Sequence, residues 1–427
     1  MYSYKKYCVR RIILLRVDAA FVKIMEEVME YIVVVGAKMS NTGSQSMVFQ
    51  IVGEMHKRFP NKKVVALMNH KRALVENMNE IYNFEIISFC PADILYLYGG
   101  IQNVAGRMLG VSKKNINHIK AVLQNTCLAF DVSGYSLSSN WSGANSLKYL
   151  YQIAILKKYQ IPTVVMPQSF GPFEYGVVFK QYINRLGKKL LPYPNIIFAR
   201  EKYSYHIVRK QFGLNNVAIS MDMVLLGKEV DQSILLKPTI KLREYSIQEG
   251  CIAVVPNNKL AEKFSLEAAL EIYVSAINYL TECKKKVYIV QHSETDRNLC
   301  NKLAAKFHTN KDITLLQANL NCLEYDLLIR HFDFIIASRY HALVHAYKQK
   351  VPCIAIGWSE KYNNLLDILK QDRYMIDAKK FNKEELFKKI DIMLQNYDVE
   401  HMQIQRFFEN MDEDLYQMIF RQIEIKE

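Results

Sequence analysis

The stretch that most constrains the fold spans residues 332–361 (FDFIIASRYHALVHAYKQKVPCIAIGWSEK). Its apolar run at 332–338 has the composition of a buried strand, residues 341–349 have that of a helix, and residues 351–358 have that of a second buried strand. This succession predicts a βαβ unit, whose right-handed crossover places the start of the helix at the carboxyl edge of a parallel sheet. We therefore expect an α/β protein.

Three basic residues lie at this predicted edge. Arg339 and His341 stand at the start of the helix, and Lys361 follows the second strand. A helix N-terminus offers unpaired N–H groups and a positive dipole end, so basic side chains beside it make a strong anion site. A solvated surface role is the alternative for each residue alone, but three on one edge favour the anion site. His345 lies one turn after His341, but without a neighbouring acid or cysteine this spacing gives weak support for a metal, and none is expected.

Composition and charge narrow the class of partner. A length of 427 residues, half of them hydrophobic, allows two domains with separate cores. The 56 lysines and arginines outnumber the 42 acids, and the net charge of +14 favours an anionic substrate, nucleic acid or an anionic membrane. No nucleic-acid-binding motif accompanies this charge, so no nucleic-acid partner is expected. The eight cysteines are scattered without a C-x-x-C pair, which indicates a reducing compartment.

A basic extension, residues 1–27, precedes the first predicted strand. Before the first acid, Asp18, it carries the cationic residues Lys5, Lys6, Arg10, Arg11 and Arg16. Its apolar run is too short for a signal peptide, and no uncharged stretch of transmembrane length follows, so we expect a cytoplasmic protein. The extension could touch anionic lipid at the inner face of the membrane, although a solvated arm is the simpler explanation.

The first half has the pattern of a doubly wound sheet. A strand at 31–36, a loop of small polar residues, a helix at 47–59 and a strand at 64–69 open it. Asn41 and Gly43 lie on the first loop, where a backbone can approach a ligand closely, although a tight turn with a helix cap explains them nearly as well.

An apolar run at residues 92–102 is predicted to be a further strand of the first sheet. This strand would end at Gly99 and Gly100. Gly100 would then lie at the ligand edge of the sheet.

Polar side chains also follow three later strands of this half. Asp131 and Ser133 end one strand, Gln168 and Ser169 lie on a loop held by two prolines after the next, and Arg200 follows a third. Because the carboxyl ends of parallel strands share one edge, these residues are expected to face the ligand, although turn chemistry uses the same residue types.

The second half repeats the alternation of strands and helices. Residues 231–248 are predicted to link an N-terminal Rossmann-like domain (28–230) to a C-terminal one (249–396). The last segment, 397–427, is predicted to be a helix that packs back on the first domain.

Taken together, these segments resemble the polysaccharide pyruvyl transferase family over residues 31–364. The resemblance is carried by NTGSQSM at 41–47, LYGG at 97–100, DVSGYSLSSNWSG at 131–143, PQSFGPF at 167–173, AREKYS at 199–204 and SRYHALVHA at 338–346 with Lys361. It implies two Rossmann-like domains facing across a cleft in a glycosyltransferase-B-like arrangement. The acceptor would lie on the first domain and the donor on the second.

What the resemblance implies about activity is specific. The family moves the enolpyruvyl carbons of phosphoenolpyruvate onto two hydroxyls of a sugar, which makes a pyruvate ketal and releases phosphate. The acceptor would be a hexose of a cell-surface or capsular polysaccharide or of its lipid-linked precursor, and no separate cofactor is expected. Arg339, His341 and Lys361 would hold phosphoenolpyruvate, and Arg200 matches the arginine after the last strand of the first half.

The residue types suit this chemistry. Guanidinium and ammonium groups are apt partners for a small ligand with a carboxylate and a phosphate. His341, able to hold a proton near neutral pH, is the candidate general acid, while Lys361 and Arg339 would neutralise the leaving phosphate. Asp131 is the candidate general base for the acceptor hydroxyl, although it could simply cap its turn.

The chain departs from the family pattern at Ser44, where an acid is common, at Ile101, where a third glycine is common, and at Met223, where a proline is usual. These changes surround the acceptor side, so they bear on the sugar more than on the donor. Two other functions stay open: a nucleotide-sugar-dependent glycosyltransferase of similar architecture, and a non-catalytic glycan- or anion-binding partner of polysaccharide assembly.

Overall fold

A computed structural model of the protein describes residues 30–317, 319–411 and 414–423, and the basic extension at 1–27 lies outside them. The elements of the first half are β1 (Tyr31–Val35), α1 (Thr42–Arg58), β2 (Lys63–Met68), α2 (Arg72–Asn79), β3 (Glu85–Ser88), α3 (Pro91–Tyr98), α4 (Ile101–Met108), α5 (Lys113–Gln124), β4 (Thr126–Asp131), α6 (Gly143–Lys158), β5 (Thr163–Gln168), α7 (Val177–Leu190), β6 (Ile196–Ala199), α8 (Lys202–Phe212), β7 (Val217–Ile219) and α9 (Met223–Leu226).

The second half begins after a connection that includes α10 (Gln232–Leu235). Its elements are β8 (Ile252–Val255), α11 (Asn258–Lys263), α12 (Leu266–Glu282), β9 (Val287–Val290), α13 (Arg297–Ala305), β10 (Ile313–Leu316), α14 (Cys322–Ile329), β11 (Ile335–Ala337), α15 (Tyr340–Lys348), β12 (Cys353–Gly357), α16 (Glu360–Ile368), β13 (Met375–Asp377), α17 (Lys383–Glu409) and α18 (Leu415–Phe420).

The strands form two parallel sheets. The first has seven strands in the order β3-β2-β1-β4-β5-β6-β7, and the second has six in the order β10-β9-β8-β11-β12-β13. In each sheet the order reverses beside its first strand, between β1 and β4 and between β8 and β11. The loops that leave neighbouring strands at such a switch point diverge and open a crevice for a ligand. Arg339 and His341, which follow β11, therefore lie at the switch point of the second sheet.

Three layers of core hold the sheets. One continuous cluster joins the face of the first sheet that carries α1 and α9 to α14 and α15 of the second domain. The opposite face of the first sheet is covered by α3 and α5 to α8, and the outer face of the second sheet by α12, α13 and α17. Because both faces are covered, the strands are near-continuous runs of valine, isoleucine and alanine, which is why the sequence identified most of them.

The apolar run at residues 92–102 is a correction, since it forms α3 and the start of α4 instead of a strand. Pro91 occupies the first helical position and Asp93 accepts a hydrogen bond from the backbone at the helix start, both of which favour a helix. Ile94 and Leu97 are buried one turn apart, so the apolar spacing is helical.

Gly100 is displaced from its predicted place by the same change. Gly99 and Gly100 have φ angles of 96° and 62° because they turn the chain between two helices, and Gly100 is exposed. It does not follow a strand, so its predicted position at the ligand edge is wrong.

The C-terminal part returns to the first domain. Where residues 397–427 were expected to form a helix of their own, a helix of 27 residues (α17) runs through residue 397 and is followed by the short α18. In α18 the ring of Phe420 lies 5.6 Å from that of Phe59, at the end of α1. Within the described ranges no helix is both long enough and apolar enough to cross a membrane.

Candidate active site

The N-terminal end of α1 is where the first domain meets the second. Asn41 caps this helix by accepting a hydrogen bond from the backbone N–H of Ser44 at 3.0 Å, and its backbone pairs with Ser293 of the second domain. Thr42 Oγ1 lies 2.8 Å from Nε2 of His292. Asn41 is thus a structural cap at the domain junction.

Gly43, in the first turn of α1, lies against His341 of the second domain. An added Cβ at this position would lie 2.1 Å from Cγ of His341, far inside contact distance. The backbone of α1 therefore lies directly on the imidazole of His341, and only a glycine leaves room for the ring.

His345 also belongs to this junction. Its side chain is fully buried, with Nε2 3.0 Å from the hydroxyl of Ser46 in α1 and Nδ1 2.6 Å from Oδ1 of Asp326. These contacts make it a hydrogen-bonded core histidine that ties α15 to α1.

Arg339 immediately precedes α15. Its Nε donates to Oδ2 of Asp296 at 2.8 Å, and its Nη2 donates to the other oxygen of the same carboxylate and to Oγ1 of Thr295. Asp296 is fully buried, whereas the arginine keeps 16% of its side-chain surface exposed. A two-point pair of this kind fixes the plane of the guanidinium and leaves its outer edge for a ligand.

Arg200 reaches the same place from the first domain, directly after β6. Its Nη1 donates to Oδ2 of Asp222 and its Nη2 to Oγ of Ser169, both at 2.8 Å. The guanidinium lies 4.6 Å from the ring centre of Tyr340, in the second domain. Its Nε is buried and makes no hydrogen bond to any described residue. Ser169 also donates to Glu201 at 3.1 Å, so it positions Arg200.

His341 occupies the first turn of α15. Its Nε2 is buried and has no hydrogen-bond partner within the described part of the chain. Burial lowers the pKa of His341 to about 3, with Arg200 and Lys361 acting in the same direction and Asp222 opposing them. The imidazole is therefore neutral at neutral pH in this structure, which differs from the predicted proton-holding side chain. The cause is desolvation beneath Gly43.

Lys361 lies in the first turn of α16, surrounded by tyrosines. Its Nζ is 5.8 Å from the ring centre of Tyr135 in the first domain, 5.2 Å from that of Tyr340 and 5.3 Å from that of Tyr362. Burial, followed by the positive charge of Arg200, lowers the pKa of Lys361 to about 7. This lysine therefore changes its charge near neutral pH.

Asp131 has a different environment from the one predicted. Its fully buried carboxylate accepts from the backbone N–H and hydroxyl of Ser133, at 3.2 and 3.0 Å, from Gln152 at 2.9 Å and from Gln168 at 3.2 Å. Burial raises the pKa of Asp131 to about 6, against the effect of these hydrogen bonds. A carboxylate enclosed in this way braces the loop after β4, so the structure does not support its predicted role as general base. Gln168 is likewise a buried brace and does not face the cleft.

The structure thus brings Gly43, Ser169, Arg200, Arg339, His341 and Lys361 together at the junction of the two domains. Asn41 and Ser133 border this cluster, Asp131 and Gln168 lie beneath it, and Gly100 lies elsewhere. The sequence reasoning missed the two carboxylates that orient the arginines, Asp222 and Asp296, although each comes after a strand: Asp222 after β7 of the first sheet and Asp296 after β9 of the second. It also missed Tyr340, which stands between two of the residues it selected.

A cluster with two guanidiniums, one lysine and one neutral imidazole can receive a small ligand with several negative charges. Two Rossmann-like domains that share such a junction define the class of glycosyltransferase-B-like proteins.

Solved structures of this class match nearly the whole chain. A putative UDP-N-acetylglucosamine 2-epimerase from Listeria monocytogenes is 13% identical with a TM-score of 0.54, covering 93% of this chain and 98% of its own. A UDP-glucose: anthocyanidin 3-O-glucosyltransferase in complex with UDP is 10% identical with a TM-score of 0.54, covering 92% and 98%. The UDP-GlcNAc 2-epimerase of Methanocaldococcus jannaschii is 11% identical with a TM-score of 0.51, covering 86% and 93%. At these identities the similarity shows the fold alone, and it confirms the predicted fold class.

The sequence profile of the polysaccharide pyruvyl transferase family matches residues 41–360. Since this match covers most of the chain, the protein belongs to the polysaccharide pyruvyl transferase family. The matched range includes Arg200, Arg339 and His341 and ends one residue before Lys361. None of the curated protein sequences matches the chain.

Proposed function

We propose that the protein transfers the enolpyruvyl group of phosphoenolpyruvate to two hydroxyls of a hexose and so forms a pyruvate ketal with release of phosphate. The hexose belongs to a cell-surface or capsular polysaccharide or to its lipid-linked precursor. Family membership supports pyruvylation, and the convergence of Arg200, Arg339 and Lys361 from both domains carries the choice of donor. No separate cofactor takes part in the proposed reaction.

The donor is held by charges from both domains. Arg339 and Arg200 are each oriented by a buried carboxylate, so they meet the donor without losing much side-chain freedom. The buried Nε of Arg200 and Nε2 of His341 gain hydrogen-bond partners when the donor binds. Lys361 becomes fully charged beside the phosphate, because a neighbouring anion raises its pKa from about 7.

His341 supplies the proton in this proposal. The negative charges of the donor raise the pKa of the imidazole, so it takes up a proton, which it delivers to the methylene carbon as the first sugar oxygen bonds to the adjacent carbon. The bond from that carbon to the phosphate oxygen then breaks, with Arg339 and Lys361 stabilising the departing phosphate. The second hydroxyl closes the ketal. The proton of the first hydroxyl returns to His341, and that of the second leaves with the phosphate.

The direct test is phosphate release from phosphoenolpyruvate in the presence of a panel of acceptor glycans. Arg339→Ala and His341→Ala should each lower kcat/KM by about a hundredfold or more, because each removes stabilisation of developing charge or the proton donor. Lys188→Ala, an exposed lysine of α7, is the matched control. Unchanged rates in both site variants would show that this cluster is not the active site.

Binding calorimetry and the phosphate-release assay together separate the two alternative functions from the transferase. A nucleotide-sugar-dependent glycosyltransferase would bind a UDP- or GDP-sugar and not phosphoenolpyruvate. A non-catalytic partner of polysaccharide assembly would bind phosphoenolpyruvate without turning over any acceptor.

The proposed location is the cytoplasm, with peripheral contact to the anionic inner face of the membrane. The charge distribution of the first domain supports this contact. Between Asp93 and Glu201 the acids are Asp131, which is buried, and Glu174, which is exposed. Apart from the buried Arg200, eleven basic residues lie in the same span: Arg107, Lys113, Lys114, Lys120, Lys148, Lys157, Lys158, Lys180, Arg185, Lys188 and Lys189. A surface of this kind attracts anionic lipid.

The same segment exposes an apolar stripe. Ile101, Val104, Met108 and Leu109 recur at helical spacing on and just after α4, and each is more than half exposed. Sedimentation with phosphatidylglycerol vesicles should therefore decrease in Ile101→Ser/Met108→Ser but not in Val399→Ser/Met402→Ser, a matched pair on α17. Equal binding by both double variants would refute the contact.

A further inference from the structure

A second polar pocket opens at the switch point of the first sheet. It is partly open to solvent, and its polar lining includes Lys38, Asn69, Ser133, Ser136 and Lys148. These residues come from the loops after β1, β2 and β4 and from α6. This is the place at which doubly wound sheets bind ligands, and none of the donor-binding residues proposed above lines it.

Two lysines give the pocket its charge. Lys148 is part-buried, and burial together with the positive charge of Lys38 lowers the pKa of Lys148. Among the described residues no carboxylate forms an ion pair with either lysine. An ammonium group that is withdrawn from water without a counter-charge destabilises the fold, and a bound anion would compensate for it.

We propose that Lys38 and Lys148 bind a phosphate or diphosphate group of the acceptor. This inference rests on the proposed function and specifies its substrate class: a sugar linked to phosphate, and not a free sugar or a finished polysaccharide. Ammonium groups act on phosphate as point charges, whereas planar carboxylates are matched better by guanidinium, which this pocket lacks. The side-chain amide of Asn69 adds a neutral hydrogen-bond donor.

The loop after β4 connects this pocket to the donor site. Ser133 and Ser136 line the pocket, and Tyr135 between them lies against Lys361. Gly36 permits this arrangement, since its φ is +88° and an added Cβ would lie 2.2 Å from the hydroxyl of Ser133. An acceptor phosphate held in the pocket would therefore leave the attached sugar one loop away from the donor.

Binding of inorganic pyrophosphate to the full-length protein, measured by calorimetry, tests the site without any turnover. Lys38→Met/Lys148→Met should weaken binding by about tenfold or more, because it removes both charge-assisted contacts. Because the donor site of the proposed function also attracts anions, the tenfold difference should persist when phosphoenolpyruvate saturates that site, and Lys188→Ala on the surface should leave pyrophosphate binding unchanged. No pyrophosphate binding by the wild type under these conditions, or unchanged binding by the double variant, would overturn the proposal.

Stability and substrate preference provide two further readouts. Lys148→Met should raise the Tm, because it removes a part-buried charge without a partner, and a lower Tm would contradict that premise. In the transferase assay Lys38→Met/Lys148→Met should have a higher KM for a lipid- or nucleotide-linked diphosphate sugar than the wild type, and the same KM for phosphoenolpyruvate. Comparison of the two diphosphate sugars identifies the carrier. Pyrophosphate binding with no turnover would refute the transferase function alone.

Discussion

Replacing Gly43 by alanine tests whether the first domain positions the imidazole of His341. The added Cβ would lie 2.1 Å from Cγ and 2.4 Å from Cδ2 and Nδ1 of the ring, whereas carbon atoms in contact are about 3.5–4.0 Å apart. The ring or the start of α1 must therefore shift by about 1.4 Å or more. Since a misplacement of about 1 Å can cost about a hundredfold in rate, we expect kcat to fall at least that far.

The stability effect of the same change should be small. Overpacking costs about 1–3 kcal/mol, but replacing glycine by alanine in a helix returns about 0.5–1 kcal/mol. Most of the protein should stay folded, so the loss of phosphate release would report on His341 and not on unfolding. Gly176→Ala is the matched control, because its added Cβ would meet no atom within 4 Å. A Gly43→Ala enzyme as active as this control would refute the proposed positioning.

Three further predictions concern the charges of the site. Lys361→Met should raise the free energy of unfolding most below pH 7, because the buried ammonium of the wild type is charged there. This gain in stability should vanish as the pH rises from the folded pKa of about 7 towards the ordinary 10.5. Urea unfolding at several pH values measures it. Asp296→Asn should weaken phosphoenolpyruvate binding less than Arg339→Ala does in calorimetry, because the carboxylate only orients the guanidinium; equal losses would contradict that role. Phosphoenolpyruvate binding at pH 8 should be accompanied by proton uptake, which makes the binding enthalpy differ between two buffers of different ionisation enthalpy. The uptake should be smaller in Lys361→Met. Identical enthalpies of the wild type in the two buffers would refute the prediction.

The part of the fold that sequence predicted well is the part determined by local pattern. Buried parallel strands such as β1, β8 and β11 are short apolar runs bounded by polar residues, and the crossover rule then places whatever follows them at one sheet edge. Arg339 and His341 could be placed in this way because both lie within a few residues of β11. The run at 92–102 failed because a short apolar segment fits both a strand and a half-buried helix.

The parts of the site that sequence did not predict depend on contacts between distant segments. Arg339 is oriented by Asp296, which lies 43 positions earlier in the chain, and no local pattern marks that pair. The low pKa of His341 follows from its packing beneath Gly43 of the other domain. The burial of Asp131 follows from two glutamines that other elements bring to it. A residue type at a strand end therefore predicts location, whereas its protonation and exposure depend on tertiary packing.

The charge arrangement suggests why proton delivery is coupled to the donor in the proposed reaction. Both guanidiniums are permanently charged and already paired, so they hold fixed positions. Burial and the charge of Arg200 lower the pKa of both His341 and Lys361, and Arg339 lowers that of Lys361 as well. In the proposed reaction the carboxylate and phosphate of the incoming donor raise the pKa of both groups at once. The general acid is then charged when the donor is bound, and it is neutral otherwise. In the proposed reaction this coupling supplies a protonated imidazole beside the methylene carbon at neutral pH, although the pKa of the imidazole in this structure is about 3.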